Sequence, residues 1–330
     1  MKKICLAFII CLMLVGCGAY SSKSLAKDFE NKVNNLTSYK LSGVLEIKNS
    51  DDIYKYDVDV AYAKKDKFRV SLKNVTNNHE QIILKNADGV YVLTPSLNKS
   101  FKFQSDWPYN NSQSYLLQTL LTDMQNDSNK KLKNSKNYYI VETKVNYPNN
   151  ADLVKQKIYF DKKLNPKKVE VLDKSNNVLI KMTFKQIKIN SKFKKNYFEL
   201  EENMRVSKNE EQTQTVSQIP EDIYPLYIPE NTKLTNKEDV NIDGGHRVIM
   251  TFEGDNPFML VEQPATTEKD LEIVSVYGEP YQLATSVAAL SDNMITWVAN
   301  GIEYYVVSEN MSENQLIAVA SSVATLPVSK

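Results

Sequence analysis

The sequence predicts an α+β protein: an antiparallel β-sheet covered by helices, followed by a second, small α+β domain. Period-two alternation of apolar and polar residues runs through most of residues 39–189 and returns after residue 247. Two amphipathic helical stretches accompany the first block of strands, so the helices are segregated rather than alternating with each strand. Charge then divides the chain. Residues 219–330 hold 5 Lys+Arg against 17 Asp+Glu, and residues 1–218 hold 36 against 23, although the whole chain nets only +1. One-sided alternation describes an antiparallel sheet whose inner face needs a cover, and the two helices are the available cover.

The chain opens with Lys2 and Lys3, an apolar run from Ile4 to Val15, and the sequence Leu14-Val15-Gly16-Cys17. A run of about a dozen residues falls short of the roughly 20 that span a bilayer, so it is a secretory signal. An ordinary signal favours small residues at −3 and −1 before the cut. Cleavage before Cys17 would put the bulky Leu14 at −3, which suits a lipoprotein signal instead. Residues 1–16 are therefore expected to be removed, and the Cys17 thiol to take diacylglycerol, with 17–24 as a polar tether. The expected location is the extracytoplasmic face of the cell membrane. Cys5 and Cys11 fall in the removed segment. The mature chain then has no disulfide framework, no cysteine-rich zinc site and no thiol catalysis.

Leu25, Phe29, Val33 and Leu36 recur at helical spacing. From Tyr39 the period becomes two: Tyr54, Tyr56, Val58, Val60 and Tyr62 share one strand face, and Phe68, Val70, Leu72, then Phe101 and Phe103, repeat the alternation. Asp88-Gly89 between apolar runs signals a hairpin, because Gly readily supplies positive φ. About six strands precede Trp107-Pro108. A helix is expected over 112–125 from Leu116, Leu117, Leu120, Leu121 and Met124, followed by a polar loop from Asp127 to Ser135. About four more strands follow, up to Ile189.

Residues 200–218 are poor in apolar side chains and read as a linker. In the acidic part, 219–330, Tyr224-Pro225-Leu226-Tyr227-Ile228-Pro229 suits an extended edge. Strands are expected over Arg247–Phe252, Phe258–Gln263, Glu272–Val276, Gln282–Ala288 and Met294–Ala299, with an Asn300-Gly301 hairpin into Ile302–Val307. Ser312 is placed to cap a closing helix.

The chemistry of common enzymes is missing from the motifs. His79 and His246 are far apart, where a histidine zinc site needs three or four clustered ligands. No nucleophile elbow, phosphate-binding glycine loop or dinucleotide fingerprint is present. The expectation is a protein that is not an enzyme and has no metal or cofactor. Export argues against nucleic acid as a partner for the basic portion; an anchored basic surface suits anionic lipid, each nearby Lys adding up to about 1 kcal/mol. The aromatic stripe has two readings. Tyr54, Tyr56, Tyr62, Phe68, Phe101, Phe103, Trp107 and Tyr115, with Leu116 and Leu120, either line a hydrophobic cavity or fill a core.

Residues 20–199 resemble the LolA/LolB/RseB-like lipoprotein-carrier family. The likeness lies in the helix Leu25–Leu36 leading into Ser38-Tyr39, the Tyr-rich strand 54–62, the Asp88-Gly89-Val90-Tyr91 hairpin and the Leu-rich helix 116–124. The C-terminal part is similar to a domain of unassigned function that follows such domains in sporulation- and germination-associated lipoproteins of Gram-positive bacteria, on Met294-Ile295-Thr296-Trp297, Asn300-Gly301-Ile302-Glu303-Tyr304 and Glu313-Asn314-Gln315-Leu316-Ile317-Ala318. The resemblance implies a curved sheet forming an incomplete barrel over residues 25–199, with a hydrophobic cavity under a helical lid. It also implies a lipid or acyl ligand, or an envelope protein partner. A chain tied down at Cys17 cannot ferry cargo between membranes, so a local receptor, scaffold or sensor is expected. The alternative is a protein-interaction module that regulates a partner such as a cell-wall hydrolase or a signalling protein, with nothing in the cavity.

Overall fold

The computed structural model describes residues 20–208, 223–242, 245–267 and 270–323. The expected signal segment, Cys17 and residues 209–218 of the expected linker lie outside the described residues.

Helix α1 (Ser22–Asn34) is capped by the Ser21 side chain, which accepts the Ser24 N–H. It leads into β1 (Ser38–Asn49), β2 (Asp52–Ala63), β3 (Lys67–Asn74), β4 (Glu80–Asn86), β5 (Gly89–Thr94) and β6 (Lys99–Phe103). Helix α2 (Leu117–Asn126) precedes β7 (Lys131–Asn134), β8 (Tyr139–Lys144), β9 (Lys155–Phe160), β10 (Pro166–Leu172) and β11 (Val178–Ile189). After α3 (Leu200–Lys208) come β12 (Thr232–Ile242), β13 (Gly245–Gly254), β14 (Phe258–Pro264) and β15 (Glu272–Val276). The chain continues through β16 (Gly278–Gln282), β17 (Val287–Ser291), β18 (Met294–Ala299), β19 (Ile302–Val307) and α4 (Glu313–Ser322).

Most of this is strand, in two open sheets. The first runs β15-β6-β5-β4-β3-β2-β1-β11-β10-β9-β8-β7, and the second runs β12-β13-β14-β19-β18-β17-β16. Every neighbouring pair is antiparallel except β15 and β6. On the inner face of the first sheet, Leu25, Phe29 and Val33 of α1 and Leu117, Leu120, Leu121 and Met124 of α2 share one buried cluster with strand residues. Phe29 meets Phe160 with ring centroids 4.8 Å apart. A second cluster centres on Trp297, stacked on Tyr304 at 5.0 Å, and takes in Leu316, Ile317, Val319 and Ala320 of α4.

The register of β1 against β11 slips between Ser42 and Gly43. A Cβ at Gly43 would fall inside van der Waals contact with the Thr183 carbonyl and the Met182 methyl group. This close approach requires glycine, and the bulge bends the sheet at its middle. Gly43→Ala is expected to cost about 1–3 kcal/mol, read as a lowered urea midpoint with an unchanged denaturant slope.

The hairpins at Asp88-Gly89 and Asn300-Gly301 form as their turn chemistry dictates, with Asn300 and Gly301 at φ 52° and 77°. Ser312 caps α4 in a reciprocal box with Gln315. Other elements differ from expectation. Helix α2 starts at Leu117 rather than 112, because the Thr119 hydroxyl donates to the Gln113 carbonyl and Ser112 is held by Asn146. The polar stretch after Asp127 contains the short strand β7, which pairs with β8. The first nine residues of the expected linker form α3. Its Met204 joins a small apolar cluster on the outer face of the sheet, and Asn203 accepts from Arg69 at 2.6 Å. The strand β12, mostly exposed and polar, went undetected because an edge strand need not alternate in burial. Expected strand 282–288 divides between β16 and β17. Strand Glu272–Val276, counted with the acidic part, instead pairs in parallel with β6 at the edge of the first sheet.

Candidate functional site: an apolar cavity under a hairpin

Strands β1 and β4 direct Leu45, Ile47 and Ile83 towards the inner face, as their alternation demands. There they border a cavity of about 160 Å³, walled by Trp107, Tyr115, Tyr147 and Leu153 and roofed by residues 280–284 and Val287. The roof comes from the β16–β17 connection, so the acidic part of the chain closes the inner face of the first sheet. Three hydrogen bonds from β2 and β4 help to fix it there. The Tyr56 hydroxyl donates to the Ala284 carbonyl at 2.6 Å. The buried Gln81 amide accepts the Val287 N–H at 2.7 Å and donates to the Val287 carbonyl at 3.0 Å, as a neighbouring strand would.

Of the ten aromatic and leucine positions singled out from sequence, Trp107 and Tyr115 line this cavity. Tyr56 is buried and ties down the roof. Phe68, fully buried, packs against Trp107 at 5.9 Å, and Tyr62 lies between Tyr39 and Phe68 at 5.2 and 5.0 Å. Phe101, Phe103, Leu116 and Leu120 are buried in the same core, with Tyr54 partly buried at its margin. Tyr147, Leu153 and the 280–287 roof were not singled out. Tyr147 and Leu153 stand in a loop where no periodicity marks the inward side, and sequence carries no sign of which sheet a hairpin will cover.

The wall is mainly apolar, and among its residues there is no histidine, cysteine or carboxylate. The Tyr115 hydroxyl and the Gln282 amide oxygen are buried with no protein partner, which gives a bound group places to make a hydrogen bond. Burial holds the Tyr115 and Tyr147 hydroxyls well above the usual phenol range, so both stay neutral. A volume near 160 Å³ suits one ring or a short branched alkyl group and is below the roughly 300–1,000 Å³ of ordinary ligand pockets. His79 lies at the β3–β4 turn with its imidazole pulled down to about 4 by burial, and His246 stands 3.1 Å from Asp239 on the other sheet. Among the described residues no group of three or more His, Cys, Asp or Glu could hold a metal ion. No helix among them is long and apolar enough to cross a membrane.

One carboxyl lies buried between α2 and β9. Asp123 of α2 accepts from the Ser112 hydroxyl at 2.8 Å and from the Gln156 amide at 2.6 Å. Burial pushes its carboxyl up to about 7, against the opposing pull of those two donors. The folded chain therefore holds a proton that the unfolded chain has released between pH ~4 and ~7. This contribution is complete below the unfolded value and is lost as pH rises to about 7, on the order of a few kcal/mol in all. Asp123→Asn is expected to flatten the dependence of the urea midpoint on pH between 5 and 8; a parallel, merely displaced profile would refute the assignment.

Residues 1–198 match the family model described as Sporulation protein YdcC-like. The chain is 35% identical over 335 residues to the Sporulation protein YdcC of Bacillus subtilis (strain 168), covering 98% of each. The chain belongs to this family. Its sporulation link and its kind of fold are those implied by the sequence resemblance. Among solved structures, the complex of Pseudomonas aeruginosa MucA/MucB aligns over 91% of this chain and 98% of that one at 13% identity, with a TM-score of 0.33. A putative outer membrane lipoprotein-sorting protein domain from Vibrio parahaemolyticus aligns over 56% and 98% at 11% identity, with a TM-score of 0.33. Likeness at this level carries no argument about what the chain binds.

Proposed function

We propose that this member of the family is a non-enzymatic lipoprotein of the sporulating cell envelope, anchored outside the membrane through diacylglycerol on Cys17, that works by binding a protein partner. In this reading residues 25–199 form the carrier-like half-barrel, with α1 and α2 as its lid, and 219–330 form an acidic second domain that serves as a built-in stopper. The observation that carries it is the roof: residues 280–287 occupy the inner face where an acyl chain would otherwise lie, leaving room for only about a ring. The lack of an acid–base or nucleophilic pair in the cavity wall supports a binding role over a catalytic one. Native mass spectrometry of the Cys17→Ala chain tests the choice. A mass equal to the polypeptide alone is expected, and stoichiometric co-purified phospholipid would replace this reading with a lipid carrier.

The lipid-binding reading keeps one observation of its own, the unpartnered Tyr115 hydroxyl at an apolar wall. It requires the roof to lift, which makes opening of the 280–287 segment the event that separates the two readings.

A further inference from the structure

On the opposite, outer face of the first sheet, residues 192–203 fold over β1, β2 and β3 and leave a groove of about 670 Å³. The fold-over is fixed by the buried cluster of Phe198 and Met204 on Ile82, Leu84, Tyr91 and Leu93. It is fixed also by Asn203, which accepts from Arg69 and donates to the carbonyls of Tyr197 and Glu199. Lys40, Lys188, Lys192 and Lys194 line the groove. Lys40 is held over the aromatic wall, its Nζ 4.8 Å from the Tyr197 ring centroid and 5.3 Å from that of Phe193. The groove has carboxylates as well, but two are already engaged. Glu80 meets Arg69 at 3.5 Å and the Ser71 hydroxyl at 2.5 Å, and Glu202 pairs with Arg205 at 2.5 Å. Asp59 is the third carboxylate of a lining that also holds the four lysines.

We propose that this groove binds a phosphodiester, the chemistry shared by anionic lipid headgroups and by free glycerol-phosphate chains. The volume falls within the range of ordinary ligand sites. The cations come from neighbouring segments: Lys40 of β1 and Lys188 of β11 are register partners, and Lys192 and Lys194 stand on the stretch that follows β11, so positive charge is gathered where a phosphodiester oxygen can meet it. They are lysines, point charges that take phosphate from many directions, and the single arginine is committed to Glu80 and Asn203. The flat walls of Phe193 and Tyr197 offer an apolar surface for the carbon links between phosphates. This site lies on the face of the sheet opposite the cavity and does not depend on what the cavity does.

The test uses the full chain with Cys17→Ala, which removes the lipid-bearing thiol and leaves the groove intact. A soluble oligomer of glycerol phosphate, a chain of phosphodiesters joined by carbon links, serves as the free probe in calorimetry. Vesicles of about three parts phosphatidylcholine to one part phosphatidylglycerol serve as the lipid probe in co-sedimentation. Lys188, Lys192 and Lys194 are exposed, so the triple change to Gln removes charge without disturbing the core. Lys131, Lys133 and Lys136, at the far edge of the sheet, are changed to Gln as the charge-matched control. The groove triple is expected to weaken binding of at least one probe tenfold or more, the control triple less than threefold, and the binding to fall as salt screens the charges. Binding of the glycerol-phosphate oligomer would assign the site to a free phosphodiester chain, and binding of vesicles alone to a headgroup; either supports the proposal. Equal losses in both triples, no binding by the parent chain at low salt, or tighter binding of an oligoglutamate peptide than of both phosphate probes would overturn it.

Discussion

Replacing Lys99 with methionine is expected to destabilise the folded chain by about 3–5 kcal/mol. Lys99 of β6 sits where the two sheets meet, its Nζ 2.6 Å from Glu303 of β19 and 3.5 Å from Glu272 of β15. Its side chain is 13% exposed and that of Glu303 only 7%, so the pair is screened from water and its loss is not softened by solvent. The Gln263 amide also donates to Glu303 at 2.9 Å and is itself held by Arg247 at 2.8 Å. Removing Lys99 leaves the Glu303 carboxylate buried with its nearest cation gone, and that residual charge is the main cost. The double change Lys99→Met with Glu303→Leu is therefore expected to recover most of the loss, because it removes both charges. Urea denaturation of the single and double variants measures both. Hydrogen exchange should show β15 losing protection first, since Lys99 links it to the second sheet. A single variant within 1 kcal/mol of the parent (~1 kcal/mol being typical of a surface pair) would contradict this account.

Gln81→Leu is expected to cost about 2–5 kcal/mol and to release the cavity roof. The substitution keeps an apolar body of similar size but removes the acceptor for the Val287 N–H and the donor to its carbonyl, both in buried surroundings. Each buried backbone group left without its partner costs about 1–3 kcal/mol. The strain falls on residues 280–287, whose other ties include the bond from Tyr56 to Ala284 and that between Tyr281 and Asn150. Lifting of this segment exposes Leu45, Ile47, Ile83 and Trp107, so binding of a hydrophobic dye should rise together with the loss of stability. Tyr56→Phe, which loses one hydrogen bond, is expected to show the same change at about 1 kcal/mol. A Gln81→Leu chain that loses stability but gains no dye binding would mean that the roof is held by packing alone. It would also remove the ground for treating 280–287 as a stopper.

These two predictions rest on contacts of different legibility. The alternation of β1 to β6 and the helical spacing of Leu25, Phe29 and Val33 are written in local order, and so are the two Gly hairpins and the Ser312 cap. Each depends on residues within a few positions of one another, and the structure forms them. The aromatic stripe was legible as inward-facing and illegible as cavity or core. That choice depends on what lies against it, and Tyr56, Phe68 and Phe103 turn out to be packed. Helix α3 hid in a polar segment because one buried Met204 and one well-satisfied Asn203 suffice to dock it.

The sequence by itself determined that the chain is mostly open sheet with few helices, and which face of strands β1 to β6 turns inward, because hydrophobic period and turn chemistry are short-range properties. The run of apolar residues ending in Leu14-Val15-Gly16-Cys17 is likewise a pattern of adjacent residues. Only the tertiary structure decided that β15 joins the first sheet, that 280–287 roofs its cavity, and that 192–203 folds over the outer face to make a lysine-lined groove. Those three facts depend on residues up to about two hundred positions apart meeting, as Gln81 meets Val287 and Lys99 meets Glu303. Such meetings are selected by shape and by the satisfaction of buried polar groups, for which no local pattern exists.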